Sequence, residues 1–236
     1  MIIACWSGPR NISTALMRSW SSRKDTFVTD EPFYAYYLKK HNFKHPMYKE
    51  IIKKYPNKYN EVVSSITCET PDNKEYWYQK HMAHHLINMK NIDWIKKCQN
   101  CILLRHPKAV ISSYTAKNKL NFVEELGYPQ QVEIVKFLQK SNKKFKIIDS
   151  DDLLENPKEI LFDWCKSIKI EFDESMLGWK KGNHPNDGIW WKHWYDNVIN
   201  SSGFQKYQKK DINIENKYDS IYNESMEFYN YLKGLK

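Results

Sequence analysis

Short apolar runs alternate along the chain with longer amphipathic stretches. Apolar or β-branched runs recur at residues 1–6, 26–29, 75–80, 101–105 and 145–148. Each has the length of a strand and is bounded by turn residues. Between them, residues 11–20, 32–40, 82–89, 107–115, 129–138 and 157–168 are compatible with helices. Pro107 and Pro157 suit the first turn of a helix, where the missing N–H costs nothing. The alternation predicts an α/β fold, three layers α/β/α with a mostly parallel central sheet. Residues 31–71 are rich in Tyr, Lys and His, and read as a helical excursion facing a substrate. After about residue 170 the alternation stops. Residues 178–204 place Trp179, Trp190, Trp191 and Trp194 among glycines, charges and amides, and residues 219–235 read as a final amphipathic helix. A single domain over residues 1–236 is expected, with the segment from about 170 onward closing over the sheet edge.

Composition narrows the classes. The 236 residues contain no apolar run of about 18 or more, so no membrane span is expected. Five cysteines, an odd number, show no disulfide framework, and the chain opens directly into a strand with no signal-peptide pattern. Both features predict a cytoplasmic protein. The net charge of +9 is compatible with nucleic acid, a membrane surface or a small anion. Most of it is scattered lysine, often beside Asn and Ile, which reads as nucleotide bias in the genome, so no nucleic-acid partner is expected. The four arginines are Arg10, Arg18, Arg23 and Arg105, and the first and last lie at strand-to-helix turns.

Those two turns carry the candidate chemistry. In MIIACWSGPRNISTALMRSW a strand breaks at Ser7-Gly8-Pro9-Arg10 and a hydroxyl-bearing helix follows. Backbone N–H groups and the helix dipole make such a start an anion cradle. Arg10 adds a full charge, and Ser13 and Thr14 add hydroxyl donors. The Gly-Lys of a nucleotide-hydrolysing loop is absent, and Asn11 and Ile12 stand in that region. In CILLRHPKAVISSY, Arg105 ends a strand and Ser113 lies two turns into the next helix. Together they are placed to clamp a second phosphate; a strand-end arginine paired with a local carboxylate is the alternative.

Gly-Pro-Arg…Ser-Thr followed by Arg-x-Pro-Lys-x-Val-x-x-Ser resembles the sulfotransferase family, whose members share a P-loop NTPase-like fold. Their donor is 3′-phosphoadenosine 5′-phosphosulfate (PAPS), which leaves 3′-phosphoadenosine 5′-phosphate (PAP) as product. The resemblance implies that Arg10 lies near the transferring sulfuryl group and that Asn11, Ser13 and Thr14 belong to the loop holding the 5′ side. It implies that Arg105 and Ser113 hold the 3′-phosphate. Asn11-Ile12 departs from the Ser-Gly of many members. Trp179-Lys180-Lys181-Gly182 is similar to the late Lys-Gly loop that closes over the donor, so Lys181 and Gly182 join the candidates. Trp179 or Trp190 then stacks on adenine, or both simply pack the loop.

Sulfuryl transfer calls for a base and for cations near the departing phosphate. Glu31, after the second strand, and His81, at the end of the third, compete for the base. Lys80 is the cation, resembling the lysine of a Lys-x-His element. His81, His84 and His85 have metal-binding spacing but lack an accompanying carboxylate motif, and Cys98 and Cys101 read as structural, so no metal is expected. The implied function is sulfotransfer from PAPS to a hydroxyl or amine of a small-molecule acceptor. A non-catalytic nucleotide-binding protein on the same fold and a P-loop phosphotransferase remain the alternatives.

Overall fold

The computed structural model describes residues 1–86, 89, 91–205 and 212–236. Five parallel strands, β1 (Ile2–Ser7), β2 (Thr26–Asp30), β3 (Tyr76–Met82), β4 (Gln99–Leu104) and β5 (Phe145–Asp149), form one sheet in the order β2-β3-β1-β4-β5. All five expected strands are present. The central strands β1, β3 and β4 are buried on both faces, as parallel strands under helices must be, and the edge strand β2 alternates buried and half-buried positions. Side-chain alternation divides the core. Ala4, Trp6, Ile102, Leu104 and Ile147 face one layer, and Ile3, Cys5, Tyr78, Leu103 and Ile148 face the other.

Helix α1 (Ser13–Ser21) follows β1 and packs Leu16, Met17 and Trp20 on the second face. After β2 come α2 (Tyr34–His41), α3 (Tyr48–Lys54) and α4 (Tyr59–Ile66), the helical excursion read in residues 31–71. Then α5 (Pro107–Thr115) follows β4 with Pro107 in its first turn, and α6 (Tyr128–Lys140) precedes β5. Beyond β5 lie α7 (Ser150–Glu155), α8 (Pro157–Ser167), the short α9 (Trp191–Trp194) and α10 (Asp196–Ile199), and α11 (Asp219–Lys233). This α11 packs on α5 and α6, and its Tyr229 hydroxyl donates to Asp149 Oδ2 at 2.7 Å. Among the described residues no helix is long and apolar enough to cross a membrane.

The helix expected over 82–89 is corrected. Strand β3 continues to Met82, held in register against Ser7, and only a 3₁₀ turn, Ala83–His85, follows. Ile87 and Asn88 of that stretch lie outside the described residues. The parallel registers set Ser7 beside Met82 and Leu103, and Asp30 beside Lys80. The residues that follow all five strands therefore emerge at one edge. The chain leaves β1 for β2 on one side, and the connection from β3 crosses β1 to β4 on the other, so β1 marks the switch point where such sheets bind ligands.

Candidate functional site

At the end of β1 the chain turns over residues 8–12 into α1. Arg10 and Ile12 sit at φ 63° and 54°, left-handed conformations that glycine usually supplies and that cost about 1 kcal/mol or more in other residues. Asn11 holds the strained turn. Its buried Nδ2 donates to Leu103 O of β4 at 3.1 Å. Gly8 has a steric role, since a Cβ there would lie 2.1 Å from Leu126 O. The loop thus makes its turn into α1 without the Ser-Gly of the family pattern, and Ser13 and Thr14 line the cavity it opens on.

Arg10 Nε donates to Ser113 Oγ at 2.9 Å, and an Arg105 amino group donates to the Arg10 carbonyl at 2.6 Å. Arg10, Arg105 and Ser113 are therefore one cluster, although the sequence assigns Arg10 and Ser113 to opposite ends of a donor. Tyr128, whose hydroxyl donates to Arg105 O at 2.7 Å, steadies the end of β4. Among the described residues the ion pairs of arginine are Arg18–Asp187 and Arg23–Asp25; Arg10 and Arg105 have none. Burial, and then the Arg105 charge, lower the Arg10 pKa against the smaller opposing pull of Asp196, and the buried Nε of Arg105 has no hydrogen-bond partner. Two guanidinium groups held side by side at a helix N-terminus, with no carboxylate in ion-pair contact among the described residues, suit a multiply charged anion.

The second cluster lies across the same cavity of about 670 Å³. Lys80 Nζ donates to Asp30 Oδ1 at 2.9 Å, Glu31 Oε1 at 2.6 Å and the Tyr195 hydroxyl oxygen at 2.6 Å. All three of its donors are thereby used. Lys80 and Asp30 side chains are 1 % exposed, whereas Glu31 is 12 % exposed and lines the cavity. Glu31 follows β2 at φ 43°, pinned by its own N–H to Lys80 O at 2.9 Å. Burial raises the Glu31 pKa; Lys80 opposes this and Asp30 adds to it. Burial works against the Lys80 ammonium, but Asp30 and Glu31 outweigh it and hold its pKa up.

His81, one residue further along β3, points the other way. It is 1 % exposed, stacks on Trp6 at 4.3 Å, and bonds Gln79 Oε1 at 3.1 Å. Burial lowers its pKa to about 3. The structure thus brings Glu31 and Lys80 to the cavity and leaves His81 in the core. His84 and His85 line the cavity, and among the described residues no three His, Cys, Asp or Glu side chains form a group able to hold a metal ion.

The late tryptophan segment is tied to the sheet edge. Arg18 and Asp187, both nearly inaccessible, pair at 2.5 Å; Ser22 Oγ donates to Gly178 O at 2.6 Å, and Asn186 Nδ2 to Val28 O at 2.8 Å. Gly182 is spent on structure, its N–H on Ile199 O at 2.8 Å and its carbonyl on Arg18 at 3.3 Å. Lys181 is exposed, and neither it nor Gly182 lines the cavity. Trp190 is buried against Tyr34 and Tyr55, whereas Trp179 lines the cavity. The sequence reading missed Asp30 and Tyr195. A carboxylate at a strand end beside Glu31 was a usable signal for the first; nothing local marked the second.

Two Arabidopsis thaliana proteins named branched-chain-amino-acid aminotransferase-like protein 1 and 2 are similar to this chain. They are 32% and 31% identical over 233 and 232 residues, or 99% and 98% of the chain, but 42% and 41% of their own lengths. The chain thus spans about two fifths of these curated relatives. The fold is similar to the sulfotransferase domain of the Synechococcus PCC 7002 olefin synthase, with TM-score 0.58, 15% identity, and coverage of 98% of this chain and 95% of that one. The sulfotransferase domain from the curacin biosynthetic pathway aligns with TM-score 0.51 and 14% identity, over 94% and 96% of the two chains. The family model for the sulfotransferase domain matches residues 1–235, and the chain belongs to the sulfotransferase domain family.

Proposed function

We propose that this chain is a sulfotransferase that moves a sulfuryl group from PAPS to a hydroxyl or amine of a small-molecule acceptor, with residues 1–236 acting as one domain. The observation that carries the proposal is the Arg10–Arg105 pair, two cavity-lining guanidinium groups without a carboxylate partner among the described residues. PAPS, when bound, supplies a sulfuryl group on a phosphate leaving group. The donor set fits it: Arg105, Arg10 and Ser113 would hold the 3′-phosphate, and the loop amides with Ser13 and Thr14 the 5′ side. Trp179 would offer a face to the adenine. Glu31 would take the proton from the acceptor, and Lys80 would place its charge beside the same point. General bases of this kind contribute about 10²- to 10⁴-fold in rate.

The wall beyond Glu31 carries Tyr34, Tyr37, Phe43, His45, His84 and His85. Burial brings the His84 pKa down to about 3 and raises the Tyr34 and Tyr37 hydroxyls. An uncharged aromatic wall suits the acceptor side. The test is transfer of label from [35S]PAPS across a panel of hydroxyl and amine acceptors. Transfer by the wild type is expected, with its loss in Glu31→Gln at unchanged PAP affinity. PAP binding with no transfer across the panel would favour a nucleotide-binding protein, and magnesium-dependent ATP turnover a phosphotransferase.

A further inference from the structure

The Lys80 cluster holds one ammonium between two carboxylates, so a single positive charge is shared by two negative ones. Asp30 is the more enclosed partner. Its Oδ2 accepts from the Gly188 N–H at 3.0 Å, and both its oxygens lie 2.7–2.8 Å from the Tyr195 hydroxyl. That hydroxyl accepts from Lys80 and from Trp190 Nε1 at 3.2 Å, so its own proton is directed to a carboxylate. Glu31 Oε1 is 3.4 Å away. Tyr195 lies 165 positions from Asp30 in sequence and is 4 % exposed. A tyrosine from the late segment, buried in a charge cluster at the strand ends, does more than pack.

We infer that Asp30 and Tyr195 are positioning residues that set the proton affinity of Glu31 in opposite senses, Asp30 as a like charge competing for Lys80 and Tyr195 through the hydroxyl proton it directs at the carboxylates. Asp30 is a like charge beside Glu31 and draws on the same ammonium, which favours a proton on Glu31. The Tyr195 proton offsets the Asp30 charge, leaving more of Lys80 to Glu31, and its dipole faces the Glu31 carboxylate as well. Asp187, whose pKa burial raises to about 6, bears on Asp30 and Lys80 from the late segment; the phenol and imidazole on the cavity side of Glu31 do not titrate near neutrality. Burial, and then the Glu31 charge, hold the Tyr34 phenol protonated. His85, stacked on Tyr34 at 5.1 Å, is held neutral by burial. The directions agree with the contributions to Glu31, where Asp30 raises the pKa and the Tyr195 hydrogen bond lowers it.

The catalytic part of this inference rests on the sulfotransfer reading, but its test does not. Glutamate carboxyl carbons are labelled with 13C, and the Glu31 resonance is identified by its disappearance in Glu31→Gln. It is then titrated in the wild type, Tyr195→Phe and Asp30→Asn, each first checked for native circular dichroism. The Glu31 midpoint is expected to rise by about one pH unit in Tyr195→Phe and to fall by about one in Asp30→Asn. An unmoved midpoint in Tyr195→Phe, or shifts of the same sign in both, would overturn the inference, since a packing role has no reason to give opposite signs. If Asp30→Asn does not fold, the direction in Tyr195→Phe decides alone. Wild-type protein that fails to bind PAP would remove the sulfotransfer reading and leave this titration standing.

Discussion

Replacing Arg105 by alanine separates an anion site from an ordinary strand end. Without nucleotide, the change removes one hydrogen bond, to the Arg10 carbonyl at 2.6 Å, and also the like charge that lowers the Arg10 pKa. These act in opposite directions, so the melting temperature in plain buffer is expected to stay about level. With PAP the balance changes. At about a hundred times Kd, ligand linkage stabilises the wild type by about 2.7 kcal/mol. For a domain of this size that is a rise of roughly 5–10 °C. A charge-assisted hydrogen bond contributes about 1.5–3 kcal/mol, so Arg105→Ala weakens binding by roughly 10- to 150-fold. At the same PAP concentration the variant then gains only about 0.3–1.4 kcal/mol, a rise of roughly 1–5 °C. Differential scanning fluorimetry reads both numbers, and adenosine 5′-monophosphate, lacking the 3′-phosphate, is the control. A full PAP shift in Arg105→Ala, or an equal wild-type shift with the monophosphate, would refute the assignment of Arg105 to the 3′-phosphate.

Two further outcomes concern stability. Gly8→Ala would drive a Cβ to 2.1 Å from the Leu126 carbonyl and should cost about 1–3 kcal/mol through forced backbone movement; an unchanged urea midpoint would show that the loop has slack the structure does not suggest. His81 stays neutral in the fold down to a pKa of about 3, while the unfolded chain takes up a proton near 6.5, so the unfolded state binds more protons and stability falls as pH drops below that value. Between pH 7 and 5 this amounts to about 2 kcal/mol, and His81→Gln should reduce the acid loss measured by urea titration by about that amount; an equal loss in both proteins would place His81 in contact with water.

What was legible in the sequence was what a local pattern can carry. Short apolar or β-branched runs bounded by turn residues made all five strands readable, most plainly β1 and β4, which are buried on both faces, and so was α5, whose Pro107 marks its own first turn. Residues 82–89 failed because helical spacing in MAHHLINM competes with a register that only the fold reveals, the pairing of Met82 with Ser7. The strand-turn-helix that carries the proposed anion site was readable because it and its arginine are contiguous in sequence. That Arg10 reaches Ser113 was not, since the bond joins residues 103 positions apart. The Lys80-His81 pair, a candidate cation beside a candidate base, shows the limit most sharply. Lys80 and His81 are neighbours, and strand alternation guarantees that they face opposite sides of the sheet, so one of them had to be lost to the core. Which one depends on where the cavity lies, and that is set by the direction of the crossover from β1. Tyr195 was beyond reach for a related reason. Its role exists only because Arg18–Asp187, Gly188 and Asn186 hold a distant segment against the ends of β2 and α1. A residue whose function is to share another residue's counter-ion has no signature of its own until the fold has brought the three charges together.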